Sequence, residues 1–227
     1  MNKTSKVIVV FVLILVVLFG VGQFFAFSNL NTNQAPSQSQ SASQNQTAPT
    51  EVIAFAATLP ATGTVPTEKG SCFGGSIAAA YRRDAWRCTV GNAISDPCFE
   101  ITGNKNLLCG VNPAEGSFAT TTFVLQLTKP LPSEVRPTVI PKSWAWAVQL
   151  ADGTYCTPFT GSRPFTASGT MAVYACNSQN PQESMIFGEL DASSDVWMAE
   201  VGNLNTSSSS LPTLGYSIKM PVAKVWQ

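Results

Sequence analysis

The sequence predicts a mainly β protein: an antiparallel meander or sandwich-like β-rich domain with an irregular, disulfide-braced N-terminal half and one or two short helices. Several short segments alternate apolar and polar residues with a period of two, which is the pattern of half-buried strands. Clusters of Gly, Asn, Pro and Ser separate these segments, as in antiparallel folds. All six cysteines lie at or beyond position 72, within the same part of the chain.

Strand signals are strongest in the second half. The predicted strands are residues 121–128, 144–150, 171–176, 185–190 and 196–201, with a weaker candidate at 215–219. The clearest alternation places Trp144, Trp146, Val148 and Leu150 on one side of a strand. The turn at residues 152–153, an Asp-Gly pair, tolerates positive φ and returns the chain as a hairpin through residues 154–156.

The first half has less regular signals. Residues 76–81 favour a helical turn, and Asp84 is a candidate N-cap for a second short helix over residues 85–88 that ends before Gly91. The pair Asp96-Pro97 predicts a turn just before Cys98.

The six cysteines indicate a disulfide framework, because an even number in an exported domain usually pairs. They are Cys72, Cys88, Cys98, Cys109, Cys156 and Cys176. Fifteen pairings are allowed, and the spacing favours a scheme of sequence neighbours: 72 with 88, 98 with 109, and 156 with 176. The alternative is a metal or redox site, which is disfavoured because the chain has no CxxC motif and no histidine.

The N-terminus predicts export. Lys3 and Lys6 precede an apolar run from Val7 to Phe27, which is about long enough to span a bilayer. We therefore expect residues 1–28 to be an uncleaved signal anchor, with cleavage after Ser28 as the alternative, which would give a secreted protein. Residues 29–50 are uncharged and predict a flexible tether, and residues 51–227 predict the exported domain.

Composition excludes several functions. The 227 residues carry 13 Lys and Arg against 13 Asp and Glu, and charged residues are only 11% of the chain, against about 25% in typical proteins. Zero net charge disfavours nucleic-acid binding. The absence of histidine excludes Ser-His-Asp and Cys-His nucleophile systems. No catalytic, cofactor-binding or metal-binding residue is predicted.

One charged cluster is a candidate ligand site for an anion or a saccharide. It consists of Arg83, Asp84, Trp86, Arg87 and Asp96, with the tryptophan as a stacking surface. The alternative is that Arg83 or Arg87 pairs with Asp84 or Asp96 to hold loops beside the disulfides.

Two further residue sets leave alternatives open. The carboxylates Asp84, Asp96, Glu100 and Asp152 are candidates for glycoside hydrolysis, although no spacing singles out a pair. The tryptophans at 144, 146 and 197 form either a carbohydrate-binding platform or part of the core.

We therefore expect a membrane-tethered extracytoplasmic domain with a binding or structural role and no cofactor. Its expected partners are the membrane, through residues 7–27, and a cell-wall or envelope component. The alternatives are a carboxylate-dependent hydrolase of cell-wall or extracellular polysaccharide, and a sensor or partner domain for another envelope protein. The layout of anchor, linker and cysteine-bearing domain resembles that of many exported bacterial proteins, and this resemblance transfers no catalytic residue.

Overall fold

The computed structural model describes residues 48–59, 65–113, 121–134, 137, 139–206 and 212–227. The apolar segment 7–27 and most of the predicted tether lie outside the described residues. Within the described ranges, no helix is long and apolar enough to cross a membrane.

The fold is mainly β, as predicted, and the described residues form twelve strands. They are β1 (Glu51–Ile53), β2 (Thr67–Gly75), β3 (Ala85–Val90), β4 (Ala93–Glu100), β5 (Leu107–Cys109), β6 (Phe123–Leu127), β7 (Ala147–Leu150), β8 (Tyr155–Pro158), β9 (Ala172–Cys176), β10 (Met185–Asp191), β11 (Met198–Asn205) and β12 (Thr213–Trp226). A short 3-10 helix, Pro181–Glu183, follows the N-cap Asn180.

The first half of the fold is more regular than its sequence indicates, because β2–β6 form a closed barrel of five strands. Each strand pairs antiparallel with the next. In an antiparallel meander of five strands the first and last run in the same direction. The closing pair, β2 with β6, is accordingly parallel, from Thr67 opposite Val124 to Gly70 opposite Leu127.

The second half is a seven-stranded sheet in the order β1-β12-β11-β10-β9-β8-β7. Its last strand has 14 residues and pairs antiparallel with β11 through Pro221 and with β7 from Val222 onward. The β12–β7 pairing joins the two ends of the meander β7–β12. Because the first and last of six alternating strands run in opposite directions, this closing pair is antiparallel. The short β1 adds in parallel along the end of β12.

The core has three clusters of buried apolar side chains. One lies in the sheet and includes Val201 and Val225, and one surrounds the cysteines of the barrel. The third contains residues of both halves, including Phe99 of β4 and Trp146 before β7, whose ring centroids are 4.9 Å apart. Barrel and sheet therefore share an aromatic contact, and their junction is called the seam below.

The predicted disulfide pairing is confirmed. Cys72 bonds to Cys88, Cys98 to Cys109 and Cys156 to Cys176. In each pair the two cysteines lie directly opposite one another on neighbouring antiparallel strands. A disulfide that closes a loop of this length typically stabilises the folded protein by roughly 2–4 kcal/mol.

Of the two helix predictions, the one over residues 85–88 is wrong, and the one over residues 76–81 is met only by a turn. Residues 85–88 belong to β3, because tertiary pairing of Cys88 with Cys72 and of Trp86 with Cys98 outweighs the weak local preference of this segment. Residues 76–81 form a turn without a helix, in which the Ala79 N–H donates to the Ser76 hydroxyl over 2.7 Å.

The predicted turn at Asp96-Pro97 is also wrong, because both residues lie within β4. The register between β3 and β4 shifts at this point: Trp86 pairs with Cys98, whereas Cys88 pairs with Ser95. Proline has no N–H to donate, and strands accept it where a bulge interrupts the ladder.

The strand predictions of the second half are confirmed in position, although most of their ends shift by one to four residues. The strand predicted from residue 144 begins at Ala147. The weak candidate at 215–219 is the middle of the long strand β12. The Asp-Gly turn is present, with Gly153 at φ 87° and the Asp152 carboxylate accepting from the Thr154 N–H over 2.8 Å.

Candidate functional site

The seam carries two open cavities that meet at a shared wall. The first, called the aromatic cavity, has a volume of about 330 Å³. Its walls come from the turn after β2, the approach to β7, the loop after β8, and strands β9 and β10. Its size lies within the range of about 300–1,000 Å³ that is usual for ligand pockets.

Two aromatic side chains form one wall of the aromatic cavity. The rings of Tyr81 and Trp144 meet edge to face, with centroids 5.3 Å apart. Hydrogen bonds hold the backbone of Trp144: its backbone N–H donates to the Pro141 carbonyl over 3.0 Å, and its backbone carbonyl accepts from the Gln227 side chain over 2.7 Å. Both rings are only partly buried, so the wall presents aromatic surface to a ligand.

Tyr174 lies at the buried side of the aromatic cavity. Its hydroxyl donates to the Ala145 carbonyl over 2.8 Å. Burial raises the pKa of Tyr174 well above its usual value, and this effect exceeds the opposing effect of the hydrogen bond to Ala145. The phenol therefore stays neutral at physiological pH and contributes shape rather than acid-base chemistry.

The exposed rim of the aromatic cavity carries one positive and one negative side chain. Arg163 comes from the loop before β9 and Glu189 from β10. The Ser143 hydroxyl lies 3.5 Å from a Glu189 oxygen, and no ion pair joins the arginine to the glutamate. The cavity thus has no net charge but offers both donors and acceptors.

The second cavity, called the polar cavity, has a volume of about 410 Å³ and lies between β4, β8 and the segments around residues 110–112 and 121. Its polar lining residues include Ser95, Asp96, Asn112, Thr121, Tyr155, Thr157 and Thr160. It shares Ala78 and Pro158 with the aromatic cavity. The two cavities are therefore adjacent along the seam.

Trp146 contributes to the wall of the polar cavity and leaves one buried donor. The residue is 1% exposed, and its indole N–H has no hydrogen-bond partner among the residues that the structure describes. A buried donor without an acceptor costs roughly 1–3 kcal/mol.

Asp96 is the charged residue of the polar cavity, and its carboxylate is held by groups of the barrel. The Ser76 hydroxyl donates to one oxygen, and the Ile77 N–H donates to the other over 3.1 Å. Arg87 Nε lies 3.8 Å from the carboxylate, which is too long for a hydrogen bond but close enough for charge attraction. The Arg87 guanidinium also donates to the Thr160 carbonyl over 3.2 Å, linking barrel to sheet.

The structure does not gather the five predicted ligand residues into one site. Arg87 and Asp96 form the predicted kind of pair beside the polar cavity. Arg83 and Asp84 line a separate cavity of about 460 Å³. Trp86 is 8% exposed and donates to Glu100 over 2.8 Å, so it presents no stacking surface.

The partner of Asp84 is Arg82 rather than Arg83. Arg82 Nε donates to the carboxylate over 2.9 Å, and Nη1 donates to the Gln227 carbonyl over 2.7 Å. Its guanidinium lies over Phe99, 5.1 Å from the ring centroid. These contacts tie the turn after β2 to the end of β12, so the pair has a structural role.

Two of the three tryptophans proposed as a platform belong to the core. Trp146 and Trp197 are 1% and 4% exposed, whereas Trp144 is partly buried and lines the aromatic cavity. Sequence reasoning missed Tyr81, Arg163 and Glu189 as site residues. No local signal identifies them, because they come together only when the turn after β2 packs against the sheet.

Barrel, closed sheet and seam together define a disulfide-bonded, mainly β protein with a neutral, partly aromatic cleft. No protein-family model matches the chain. No curated protein and no solved structure is significantly similar to it. Within the described ranges, no group of three or more Cys, Asp or Glu side chains is arranged to hold a metal ion.

Proposed function

We propose that residues 51–227 are an extracytoplasmic binding domain, held at the membrane by residues 7–27, and that the aromatic cavity is its binding site. The edge-to-face rings of Tyr81 and Trp144 carry the proposal. An open cavity with an aromatic wall and a few polar groups at its rim is the usual form of a ligand site. Three disulfides fit an oxidising compartment outside the cytoplasm.

The hydrolase alternative lacks support from the cavities. Retaining and inverting glycosidases need two carboxyl groups roughly 5–9.5 Å apart on either side of the bond to be cleaved. The aromatic cavity is lined by one carboxylate, Glu189, and the polar cavity by one, Asp96. Glu100 and Asp152 are hydrogen-bonded elsewhere, to Trp86 and to Thr154. A binding role is therefore proposed in preference to hydrolysis.

Replacing Tyr81 by alanine tests the binding site. Full-length protein in mild detergent is screened on arrays of envelope glycans and peptides, and the affinity of each retained ligand is measured by titration calorimetry. We expect Tyr81→Ala to weaken binding by about tenfold or more, because it removes half of the aromatic wall.

Phe165→Ala is the matched control, since Phe165 is an aromatic residue that is 48% exposed and lines neither seam cavity. It should leave the affinity unchanged. The binding-site proposal fails if no ligand is retained, or if Tyr81→Ala and Phe165→Ala behave alike.

The membrane tether is tested at the N-terminus of the exported chain. An uncleaved anchor predicts that N-terminal sequencing of the membrane fraction recovers the chain still carrying residues 7–27. The 21 residues of this segment, which are interrupted by one polar residue, Gln23, exceed the usual length of a cleaved hydrophobic region, about 7–15 residues. A chain that begins at Asn29 and is found in the medium would instead show cleavage and secretion.

A further inference from the structure

We propose that the aromatic and polar cavities are two subsites for one elongated ligand, and that this ligand is a neutral oligosaccharide. The inference rests on the proposed binding function and extends it by naming the ligand class and a second subsite. Ala78 and Pro158 belong to the walls of both cavities, so the cavities lie side by side and a chain-like ligand needs to pass only this shared wall to occupy both.

Charge selects against ionic ligands in both subsites. At the aromatic cavity, Arg163 is balanced by Glu189. At the polar cavity, the negative charge of Asp96 is balanced by Arg87, whose Nε lies 3.8 Å away. Neither subsite therefore offers an excess charge for a phosphate, a carboxylate or an ammonium group, and a neutral ligand fits both.

The two subsites offer what a sugar chain needs. The C–H faces of sugar rings pack against aromatic surface, which Tyr81 and Trp144 supply. Hydroxyl and acetamido groups need neutral hydrogen-bonding partners, and the polar cavity supplies the threonine hydroxyls of residues 157 and 160.

An extended peptide fits the seam less well. Peptides that lie along a sheet are commonly held by backbone hydrogen bonds to a free strand edge. The strands that line the polar cavity have none to offer: β4 pairs with β3 and β5, and β8 pairs with β7 and β9. Recognition at the seam must therefore come from side chains, as it does for saccharides.

The test is the dependence of affinity on ligand length. Oligomers of N-acetylglucosamine and of glucose, from one to six units, are titrated into the full-length protein and followed by calorimetry. We expect the affinity in at least one series to rise by roughly tenfold or more as the ligand becomes long enough to reach the second subsite, and then to level off. A rise only in the acetylated series assigns the second subsite to acetamido groups, and a rise in both series assigns it to hydroxyl groups.

Two variants assign the gain to the polar cavity. Thr157→Val keeps the shape and strand preference of an exposed residue while removing its hydroxyl, and Thr160→Val removes the second threonine hydroxyl of the polar cavity. Both should abolish most of the gain from added units while leaving the affinity for the shortest binding oligomer within about twofold. Tyr81→Ala should weaken ligands of every length, and Phe165→Ala should weaken none.

The outcomes separate the two proposals. Affinity that does not depend on length, or an equal effect of Thr157→Val on short and long ligands, overturns the second subsite and leaves the binding function intact. Binding of peptides without binding of either sugar series overturns the ligand class alone. If Thr160→Val loses the native circular dichroism spectrum, Thr157→Val decides the question.

Discussion

Replacing Cys156 and Cys176 together by alanine is expected to lower the free energy of unfolding by about 3 kcal/mol. This disulfide closes a loop of 20 residues between β8 and β9, and Cys156 is fully buried in the core of the sheet. The double variant frees the unfolded chain from the crosslink and also removes buried sulfur atoms from the core. Urea unfolding, followed by tryptophan fluorescence, measures the loss.

The matched control is the double variant Cys72→Ala/Cys88→Ala, which removes a crosslink of 16 residues from the barrel. Loop entropy differs little between 16 and 20 residues, so the two variants should lose similar stability. Peptide mapping without reduction should recover the three neighbour pairs from the wild-type protein. Free thiols at most of the six positions, or an unchanged unfolding midpoint in both variants, would contradict the disulfide framework.

Asp96→Ala is expected to destabilise the protein by about 3 kcal/mol, because it removes a buried charge together with its hydrogen bonds. The carboxylate is 1% exposed and accepts hydrogen bonds from Ser76 and Ile77. Its removal also leaves Arg87, whose side chain is 26% exposed, without its nearest negative charge. The turn after β2 and the contact between barrel and sheet should both loosen.

Asp152→Asn is the control for Asp96→Ala, because Asp152 is an exposed turn residue and asparagine preserves the bond to the Thr154 N–H. Its expected effect is within about 0.5 kcal/mol. Thermal and urea unfolding of both variants at neutral pH check the comparison. Equal stability of the two variants would show that the Asp96 contacts contribute little to the fold.

The sequence alone was sufficient for the mainly β class, the strands of the second half and the disulfide pairing. Each of these depends on local pattern. Alternation of apolar residues with period two is a property of a single strand, as between Trp146 and Leu150. Hairpin neighbours such as Cys98 and Cys109 are brought together by the turn between them, so spacing along the chain was a good guide to their pairing.

Where pairing between strands decides the structure, the predictions made from local sequence were wrong. Residues 85–88 have no strong local preference, and they form a strand because β2 and β4 flank them. The pair Asp96-Pro97 looks like a turn, but it lies in a strand because a bulge there tolerates a residue without an N–H. Barrel closure through β2 and β6 joins residues more than 50 positions apart, which no local pattern encodes.

The candidate site belongs wholly to this second category. Of the charged cluster predicted from sequence, Arg87 and Asp96 lie beside a seam cavity, whereas Trp86 is buried by its strand neighbours. Tyr81 meets Trp144 across 63 residues of chain. Amphipathic pattern, cysteine spacing and composition determined which parts of the chain form strands and which cysteines pair. Only the packing of the barrel against the sheet decided which side chains line a common cleft. Those side chains are far apart in the sequence, and they meet because the two halves bury apolar surface against each other.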